Sequence, residues 1–405
     1  MLMALETSRW TGARNRSVSI FNIGTMVTGD LARPLADADS VYVEDGVIRE
    51  VGGGRRSADV EIDARGLTLA PGLVDGHVHP TFGDFSPTQN SVGWMTAYLH
   101  GGTTTIISAG ELHLQGLPLD KPDPKLWRYL AVLARRCSAD HRPGGMKVVA
   151  GTMCLMPGMI EADFDELAAE GCRVVKFIFY PYDDRPEEGQ TYVRWAKARG
   201  LTSKIHSGGV SRSGLSRPAG ARVIMMLRPD VIGHASGGPI PMPLEELDEV
   251  VEKTDAFLEV CYAGNPRWSV HLVKKVRERN ELHRLTVGTD TPSGTGTTPR
   301  GMLRTVALIA ALGGVSPAET WCLASGNTAR AHGLETGVIR PGAPADLLLI
   351  GRSVGANGKD ALEALSVGDL PGISTILVDG QVLVAPRSQQ MPPPETLATI
   401  AQRTS

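Results

Sequence analysis

The sequence has few cysteines, no block of like charges and no long apolar run, and each shortage excludes a class of protein. Its five cysteines are scattered and form no CxxC pair, which favours buried thiols in a reducing compartment over a disulfide framework. A net charge of −3 without a lysine- or arginine-rich block gives no electrostatic support to nucleic-acid or anionic-membrane binding. No stretch reaches the roughly 18 apolar residues that a membrane span needs.

The N-terminal segment also lacks the apolar core of a secretory signal. In MLMALETSRWTGARNRS, Glu6 and Arg9 interrupt the short apolar beginning. We therefore expect a cytoplasmic protein with no membrane partner and no nucleic-acid partner. Hydrophobic residues make up 42% of the 405 residues and charged residues 21%, an ordinary globular composition in a chain long enough for a large core.

Both ends of the chain have the sequence pattern of β-strands. VYVEDGVIREVG predicts two strands joined at Asp45-Gly46, a residue pair that favours the tight turn of a hairpin. After residue 335, ADLLLIG predicts a strand and ILVDGQVLV predicts a second hairpin at Asp379-Gly380. Because the middle of the chain has a different pattern, we predict one small β-sandwich domain that is built from both ends.

The middle of the chain alternates between short apolar segments and helical stretches. Eight segments are predicted as strands: LVDGHVH, TTTIIS, MKVVAG, CRVVKFI, LTSKIH, DVIGHA, AFLEVC and LTVGTD. Several helical stretches end at a glycine before the next strand, as at Gly102, Gly171 and Gly200. Eight repeats predict an α/β fold with a closed (β/α)8 TIM barrel, and an open doubly wound sheet is the alternative. The predicted boundaries are 1–70 and 334–390 for the composite β-domain, 71–333 for the barrel and 391–405 for a C-terminal tail.

A His-Val-His pair ends the first predicted barrel strand. Side chains alternate along a strand, so His77 and His79 point to the same side while Val78 points away. Such a pair is by itself a weak signal, since histidines in strands are often structural. Polar residues also end later strands, which is where a barrel of this kind places its catalytic groups. These further candidates are Lys176, His206, His234 and Asp290.

Four histidines and a carboxylate form a ligand set for divalent metals such as zinc, iron or manganese. Two metals about 3.5–4 Å apart need a bridging anion. Lys176 is the candidate, because a neutral lysine amine that captures CO2 becomes a carbamate with two oxygens. A salt-bridged or substrate-anchoring lysine is the alternative. Asp290 is the candidate terminal ligand and general base, and a cap of the next helix is its alternative. We expect two divalent ions per chain, with zinc favoured.

In combination, these residues and the split β-domain resemble the amidohydrolase superfamily in type and order. GCRVVKFIFY, which carries Lys176, is similar to the fourth-strand segment of the hydantoinase and dihydropyrimidinase branch, whose lysine is carboxylated. A narrower resemblance is to the enamidase branch, which hydrolyses cyclic enamides such as 6-oxotetrahydronicotinate. The segments that carry it are FNIGTMVTGD, HGGTTTIISAG, IHSGG, HASGGP, TDTPSGTG and DLPGIS.

The resemblance implies a reaction and a substrate class. A metal-bridged hydroxide would attack a C–N bond of a small cyclic amide or enamide, and Asp290 would shuttle the proton. A homo-oligomer is also implied, with a tetramer as the expected form. A hydantoin-type ring is an alternative substrate, while a one-metal heterocycle deaminase and a non-catalytic scaffold are alternative functions. The candidate substrate-binding residues are His113, Tyr180, Ser207, Gly208, Arg212, Ser236, Arg267, Ser293 and Arg300.

Overall fold

The computed structural model describes residues 17–80, 85–86, 91–112, 114, 116–180, 182–211, 214–238, 240–293 and 296–402. Its strands are, in chain order, β1 (Ser17–Phe21), β2 (Thr25–Val27), β3 (Leu35–Ala36), β4 (Val41–Glu44), β5 (Val47–Val51), β6 (Val60–Asp63), β7 (Thr68–Pro71), β8 (Leu73–Val78), β9 (Phe85–Ser86), β10 (Ser91–Val92), β11 (Thr103–Ser108), β12 (Lys147–Val149), β13 (Met153–Leu155), β14 (Val174–Phe177), β15 (Thr202–His206), β16 (Val231–Gly233), β17 (Phe257–Cys261), β18 (Leu285–Gly288), β19 (Leu347–Gly351), β20 (Gly372–Val378), β21 (Gln381–Val384) and β22 (Thr399–Gln402). Its α-helices are α1 (Trp94–His100), α2 (Pro124–Ala139), α3 (Glu161–Ala169), α4 (Pro186–Ala198), α5 (Ala221–Leu227), α6 (Leu244–Lys253), α7 (Pro266–Glu278), α8 (Gly301–Leu312), α9 (Pro317–Cys322), α10 (Thr328–Ala331) and α11 (Ala361–Ser366).

Two sheets made from both ends of the chain share one apolar core. The first sheet has the strand order β22-β6-β1-β4-β5, and the second has the order β21-β20-β19-β7-β2-β3. Val18 and Ile62 from the first sheet are buried in one cluster with Leu69 and Leu347 from the second. The β character predicted for both chain ends is therefore present, and it unites residues that are far apart in sequence.

Both predicted hairpins are confirmed. β4 pairs antiparallel with β5, and β20 pairs antiparallel with β21. The turn residues Asp45, Gly46, Asp379 and Gly380 all have positive φ, as a two-residue type I′ turn requires. The sequence predicts only a tail at 391–405, whereas the described residues of that segment include β22, which pairs antiparallel with β6.

Parallel strands alternate with helices through the middle of the chain, as the sequence predicts. Their hydrogen-bonded orders are β12-β11-β8 and β13-β14-β15-β16-β17-β18, and each of the eight predicted segments contains one of these strands. β12 and β13 follow one another directly, so the third predicted strand continues after a break. At the other end, the N–H of His79 donates to the Thr291 carbonyl and the N–H of Asp290 donates to the His77 carbonyl, both at 2.7 Å. The chain that follows β18 therefore lies against β8.

Three helices end at the glycines that the sequence predicts, and the helix α6 shows how an apolar face is buried. Gly102, Gly171 and Gly200 follow α1, α3 and α4 with φ values of 90°, 78° and 69°. Glycine adopts this left-handed conformation without the clash that a Cβ would cause. In α6, Leu247 and Val250 are fully buried while the charged side chains of the helix face outward. No helix among the described residues is long and apolar enough to cross a membrane.

A largely buried ion cluster joins the parallel-strand region to the two sheets that are made from both ends of the chain. Lys147, at the start of β12, donates to both oxygens of Asp346 at 2.8 and 2.7 Å and lies 2.6 Å from Asp379 Oδ1. Arg142 donates to the other oxygen of Asp379 at 2.7 Å. Although burial opposes ionisation, Lys147 and Arg142 hold the pKa of Asp379 below its usual range. Two cations from one region therefore neutralise two carboxylates from the other.

Replacing Lys147 with methionine should lower the free energy of unfolding by about 3–5 kcal/mol, because the buried Asp346 and the partly buried Asp379 would lose their shared cation. Urea denaturation followed by circular dichroism measures this change. Lys253→Met is the matched control, since Lys253 pairs with Glu249 on the exposed face of α6 and its loss should have little effect. Equal stability of the two variants would contradict a structural role for the buried cluster.

Candidate metal centre

The structure brings the six predicted ligand residues together at the carboxyl ends of neighbouring parallel strands. These residues are His77 on β8, His79 just after it, Lys176 on β14, His206 on β15, His234 after β16 and Asp290 after β18. Each is at most 7% exposed. The ring centroid of His234 lies 4.4 Å from that of His77 and 4.6 Å from that of His206. The site is therefore a compact, buried cluster of groups that come from five strands.

Hydrogen bonds from the Nδ1 atoms of His77 and His79 fix which ring nitrogen of each histidine faces the centre of the cluster. Nδ1 of His77 donates to Glu259 Oε1 at 2.6 Å, and Nδ1 of His79 donates to the Gly110 carbonyl at 2.7 Å. A neutral imidazole that donates from Nδ1 keeps its lone pair on Nε2. Both Nε2 atoms lie near Asp290 Oδ1, at 3.7 Å for His77 and 3.1 Å for His79. Electron-rich nitrogen and oxygen atoms that face one another at such distances favour a cation between them.

The donor set fits a divalent metal ion. Ligand atoms of His77, His79 and Asp290 all lie within 4.8 Å of one another. Nε2 of His234 is 4.0 Å from Asp290 Oδ2, and its Nδ1 is buried without a hydrogen-bond partner among the described residues. Imidazole nitrogens and carboxylate oxygens are the ligands that zinc uses in hydrolytic sites, and iron and manganese accept them as well.

Burial sets the protonation states that such a site needs. It lowers the pKa of His206 to about 4, and it holds the pKa values of His77 and His234 well below the usual value for histidine. Burial opposes the ionisation of Asp290 as well, but His234 and His79 outweigh this effect and hold the pKa of Asp290 below its usual range. Neutral imidazoles beside an ionised carboxylate are the forms that bind a metal ion without first losing protons.

Lys176 is completely buried, and its Nζ lies 3.2 Å from His77 Nε2. Burial, together with the positive charge of Lys204, lowers the pKa of Lys176 to about 7. No carboxylate forms a salt bridge with Lys176 within the part of the chain that the structure describes. Its amine is therefore readily neutral near pH 7, which is the form that reacts with CO2.

Three of the predicted substrate-binding residues are buried serines with different roles in the structure. The hydroxyl of Ser293 donates to Asp290 Oδ1 at 2.9 Å, which places this residue in the centre itself. Ser207 Oγ donates to the last carbonyl of β16 at 2.8 Å, and Ser236 Oγ accepts from the last N–H of β17 at 2.9 Å. The hydroxyls of Ser207 and Ser236 are thus engaged in holding strand ends together.

Gly208 and Tyr180 lie on loops that follow β15 and β14. Gly208 has a φ of 86°, and a Cβ at this position would come within 2.7 Å of the Ile240 carbonyl oxygen. The close approach of two loops therefore requires glycine here. Tyr180 is partly buried, and its hydroxyl has no hydrogen-bond partner among the described residues. That hydroxyl is buried, so its role as a substrate contact stays a prediction.

Two of the predicted cationic residues lie further out. Arg267 and Arg300 are exposed at the beginnings of α7 and α8, and the Arg267 guanidinium lies 5.9 Å above the ring of Trp268. His113 and Arg212 lie outside the described residues. Among the described residues, no hydrogen bond or ion pair joins Arg267 or Arg300 to the six-residue cluster.

Sequence reasoning missed three charged residues that support the cluster. Asp75, Lys204 and Glu259 are completely buried within β8, β15 and β17. Asp75 accepts the backbone N–H groups of His77 and Thr289, each at 3.0 Å, and burial raises its pKa to about 7. A charged residue within an otherwise apolar strand, such as Glu259 in AFLEVC, is the signal that could have identified these residues.

Comparison with known proteins identifies the family. The sequence profile of the amidohydrolase family matches residues 269–383. An enamidase from Eubacterium barkeri is 38% identical over 385 residues, which cover 94% of this chain and 98% of that protein. The chain therefore belongs to the amidohydrolase superfamily, as its ligand pattern indicates.

Within this superfamily, the likeness to enamidase extends to the three-dimensional structure. The crystal structure of an enamidase, described as a new member of the superfamily, matches with a TM-score of 0.89 at 36% identity and covers 95% of this chain and 100% of that chain. D-hydantoinase matches with a TM-score of 0.65 at 18% identity, covering 93% of this chain and 97% of that chain. The likeness to D-hydantoinase shows the shared fold alone.

Proposed function

We propose that this protein is a metal-dependent hydrolase that opens a C–N bond in a small cyclic amide or enamide. The observation that carries the proposal is the convergence of His77, His79 and Asp290 in a chain 38% identical to an enamidase over 94% of its length. Zinc is the favoured metal, with iron or manganese as alternatives. The residues that would hold two ions are His77, His79, Lys176 as its carbamate, His206, His234 and Asp290.

We also propose that the parallel strands close into a (β/α)8 barrel and that the two sheets of the β-domain form a sandwich. β12 pairs with β11 and β13 pairs with β14, so the broken third strand links the two parallel sheets. The backbone bonds from His79 to Thr291 and from Asp290 to His77 support closure on the other side. The apolar core between the two β-domain sheets supports the sandwich. The proposed boundaries are 1–70 and 334–390 for the β-domain, 71–333 for the barrel and 391–405 for a C-terminal segment, whose strand β22 joins the β-domain through β6.

The side chains of the cluster would divide the work of hydrolysis. Bound metal ions would supply Lewis acidity for the substrate carbonyl and would lower the pKa of a water molecule. Asp290 is ionised and buried, so its carboxylate can take the proton of the attacking water and deliver it to the leaving nitrogen. Ser293, which donates to Asp290 Oδ1, orients this carboxylate. Burial of all these groups limits competing water at the reacting atoms.

Hydrolysis of a cyclic enamide has a distinctive product because it consumes two water molecules. The oxygen of the first water bonds to the carbonyl carbon, the C–N bond breaks, and a proton moves to nitrogen. The products of this step are a carboxylate and an enamine. The enamine becomes an imine, which takes up the second water and yields an aldehyde and ammonia. A saturated cyclic amide would instead leave its amine attached to the product.

Zinc-loaded protein should release ammonia from 6-oxotetrahydronicotinate, and a coupled glutamate dehydrogenase assay measures this release. A chelator should abolish the activity and added zinc should restore it. Metal analysis of the same sample should give two ions per chain, while one ion would favour the deaminase alternative. If the protein opened a hydantoin ring but released no ammonia from the enamide, the result would favour the alternative, hydantoin-type substrate. Absence of bound metal would contradict the proposal altogether.

A further inference from the structure

A buried ion pair lies directly behind the proposed metal ligands. Lys204 on β15 and Glu259 on β17 are both 0% exposed, and Lys204 Nζ donates to Glu259 Oε2. The same ammonium donates to the Gly76 carbonyl at 2.9 Å. Because the cost of removing two charges from water offsets their attraction, such a pair adds little net stability. Its position next to the histidines suggests another role.

The second carboxylate oxygen of Glu259 serves two of the proposed ligands at once. Oε1 accepts Nδ1–H of His77 at 2.6 Å and the backbone N–H of His234 at 3.1 Å. His234 has a φ of 59°, in the left-handed region that a residue with a Cβ adopts only at an energetic cost. One carboxylate therefore holds the ring of one ligand and the backbone conformation of another.

Glycines on neighbouring strands make room for this arrangement. A Cβ on Gly233 would come within 2.8 Å of Lys204 Cε. A Cβ on Gly288 would come within 2.6 Å of His77 Cβ and 3.2 Å of Glu259 Oε2. β16 and β18 thus have glycine where the ion pair meets His77. The absence of side chains at these two positions leaves room for Lys204 and Glu259.

We propose that Lys204 and Glu259 are positioning residues for the metal centre. Lys204 ties Glu259 to the backbone just before His77, and Glu259 turns His77 Nε2 towards the metal and holds His234 in its ligand conformation. This inference rests on the proposed function. Glu259 also lies within 4.8 Å of ring nitrogens of His77 and His234, as a ligand would. However, Oε1 already accepts two N–H groups and Oε2 accepts the ammonium, which assigns Glu259 to positioning.

The zinc affinity of metal-free protein, measured by competition with a chelator, tests the proposal. In Glu259→Gln, Lys204 would attract the amide oxygen and leave the amide NH2 facing His77. That donor favours the tautomer of His77 with the proton on Nε2, which cannot bind a metal. Zinc affinity should therefore fall by about 10–100-fold, while the number of ions per chain stays at the wild-type value.

A double variant separates positioning from general damage to the fold. In Lys204→Met combined with Glu259→Gln, no ammonium competes for the amide oxygen, which can again accept from His77 Nδ1. Zinc affinity should recover most of the loss seen in the single variant. Glu259→Asp keeps the negative charge but shortens the side chain by one methylene, so it should also weaken zinc binding. Lys147→Met is the control, because it removes a buried cation elsewhere and should leave zinc affinity unchanged.

Three outcomes would overturn the proposal in distinguishable ways. Wild-type zinc affinity in folded Glu259→Gln and Glu259→Asp would show that the pair does not position His77. Loss of one ion per chain in these variants would make Glu259 a ligand instead. Failure of the wild-type protein to bind any divalent metal would overturn the proposed function as well. Weaker binding at unchanged stoichiometry, with recovery in the double variant, is the result that supports positioning.

Discussion

Asp290→Asn should lower kcat for ring opening by about 10²–10⁴-fold while the protein stays folded, because the amide cannot accept a proton. Asparagine has nearly the same shape, and its oxygen can still accept the Ser293 hydroxyl that lies 2.9 Å from Oδ1. The variant therefore removes charge and basicity with little change in packing. Steady-state kinetics, together with thermal unfolding and metal content, separate the loss of chemistry from the loss of fold or metal.

Ser293→Ala is the matched control for this variant. It removes the hydrogen bond that orients Asp290 and leaves the carboxylate in place, so kcat should fall much less than in Asp290→Asn. If Asp290→Asn turned over substrate at the wild-type rate, Asp290 would not be the proton shuttle. An equal loss in both variants would mean that orientation, rather than basicity, is the contribution of Asp290.

The ends of the strands were largely predictable because local sequence patterns specify them. The alternation of side chains placed His77 and His79 on one side of β8, and both imidazoles are directed to the same carboxylate. The Asp-Gly pairs of the two hairpins have the positive φ values that they favour. These features depend on a few neighbouring residues, so one sequence is sufficient to predict them.

The ion pair of Lys204 and Glu259 was not predictable in the same way. Its partners are 55 residues apart, and only the assembled strands bring them together. Likewise, Ser207 and Ser236 have the composition of substrate-binding loops, yet their hydroxyls bond to the backbone of neighbouring strands. Whether a buried polar side chain serves a ligand or the fold depends on long-range contacts, which local patterns do not contain.

The backbone conformation at the site could not be predicted from the sequence either. His234 and Asp290 have φ values of 59° and 62°, although neither is glycine. In each case a hydrogen bond from the residue's own N–H holds the strained turn: His234 donates to Glu259 and Asp290 donates to the His77 carbonyl. The strain lies at two proposed ligands of the cluster. His77 is involved in both turns, because its ring bonds to Glu259 and its own carbonyl accepts the N–H of Asp290. His77 thus connects the backbone of the site to the side chains of the proposed metal ligands.

Zinc loading of metal-free protein should increase as the pH rises from 6 to 8, and it should require CO2. Because burial lowers the pKa of Lys176 to about 7, its amine is mostly protonated at pH 6 and mostly neutral at pH 8. Because only the neutral amine forms a carbamate, the bridging ligand appears as the pH rises through 7. His206, with a pKa of about 4, is already neutral throughout this range, so its titration does not produce the change.

Metal content after loading at pH 6, 7 and 8, with and without bicarbonate, measures this dependence, and intact-mass analysis under native conditions detects the added CO2. Lys176→Met supplies the control: it fills the same buried space without an amine, so it should bind fewer ions at every pH and ignore bicarbonate. The kcat of this variant should fall because an ion is lost. The variant should stay folded, because burial already disfavours the charged form of the amine that methionine replaces. Full loading of wild-type protein at pH 6 without CO2 would contradict the carbamate and leave Lys176 as a neutral or cationic neighbour of His77.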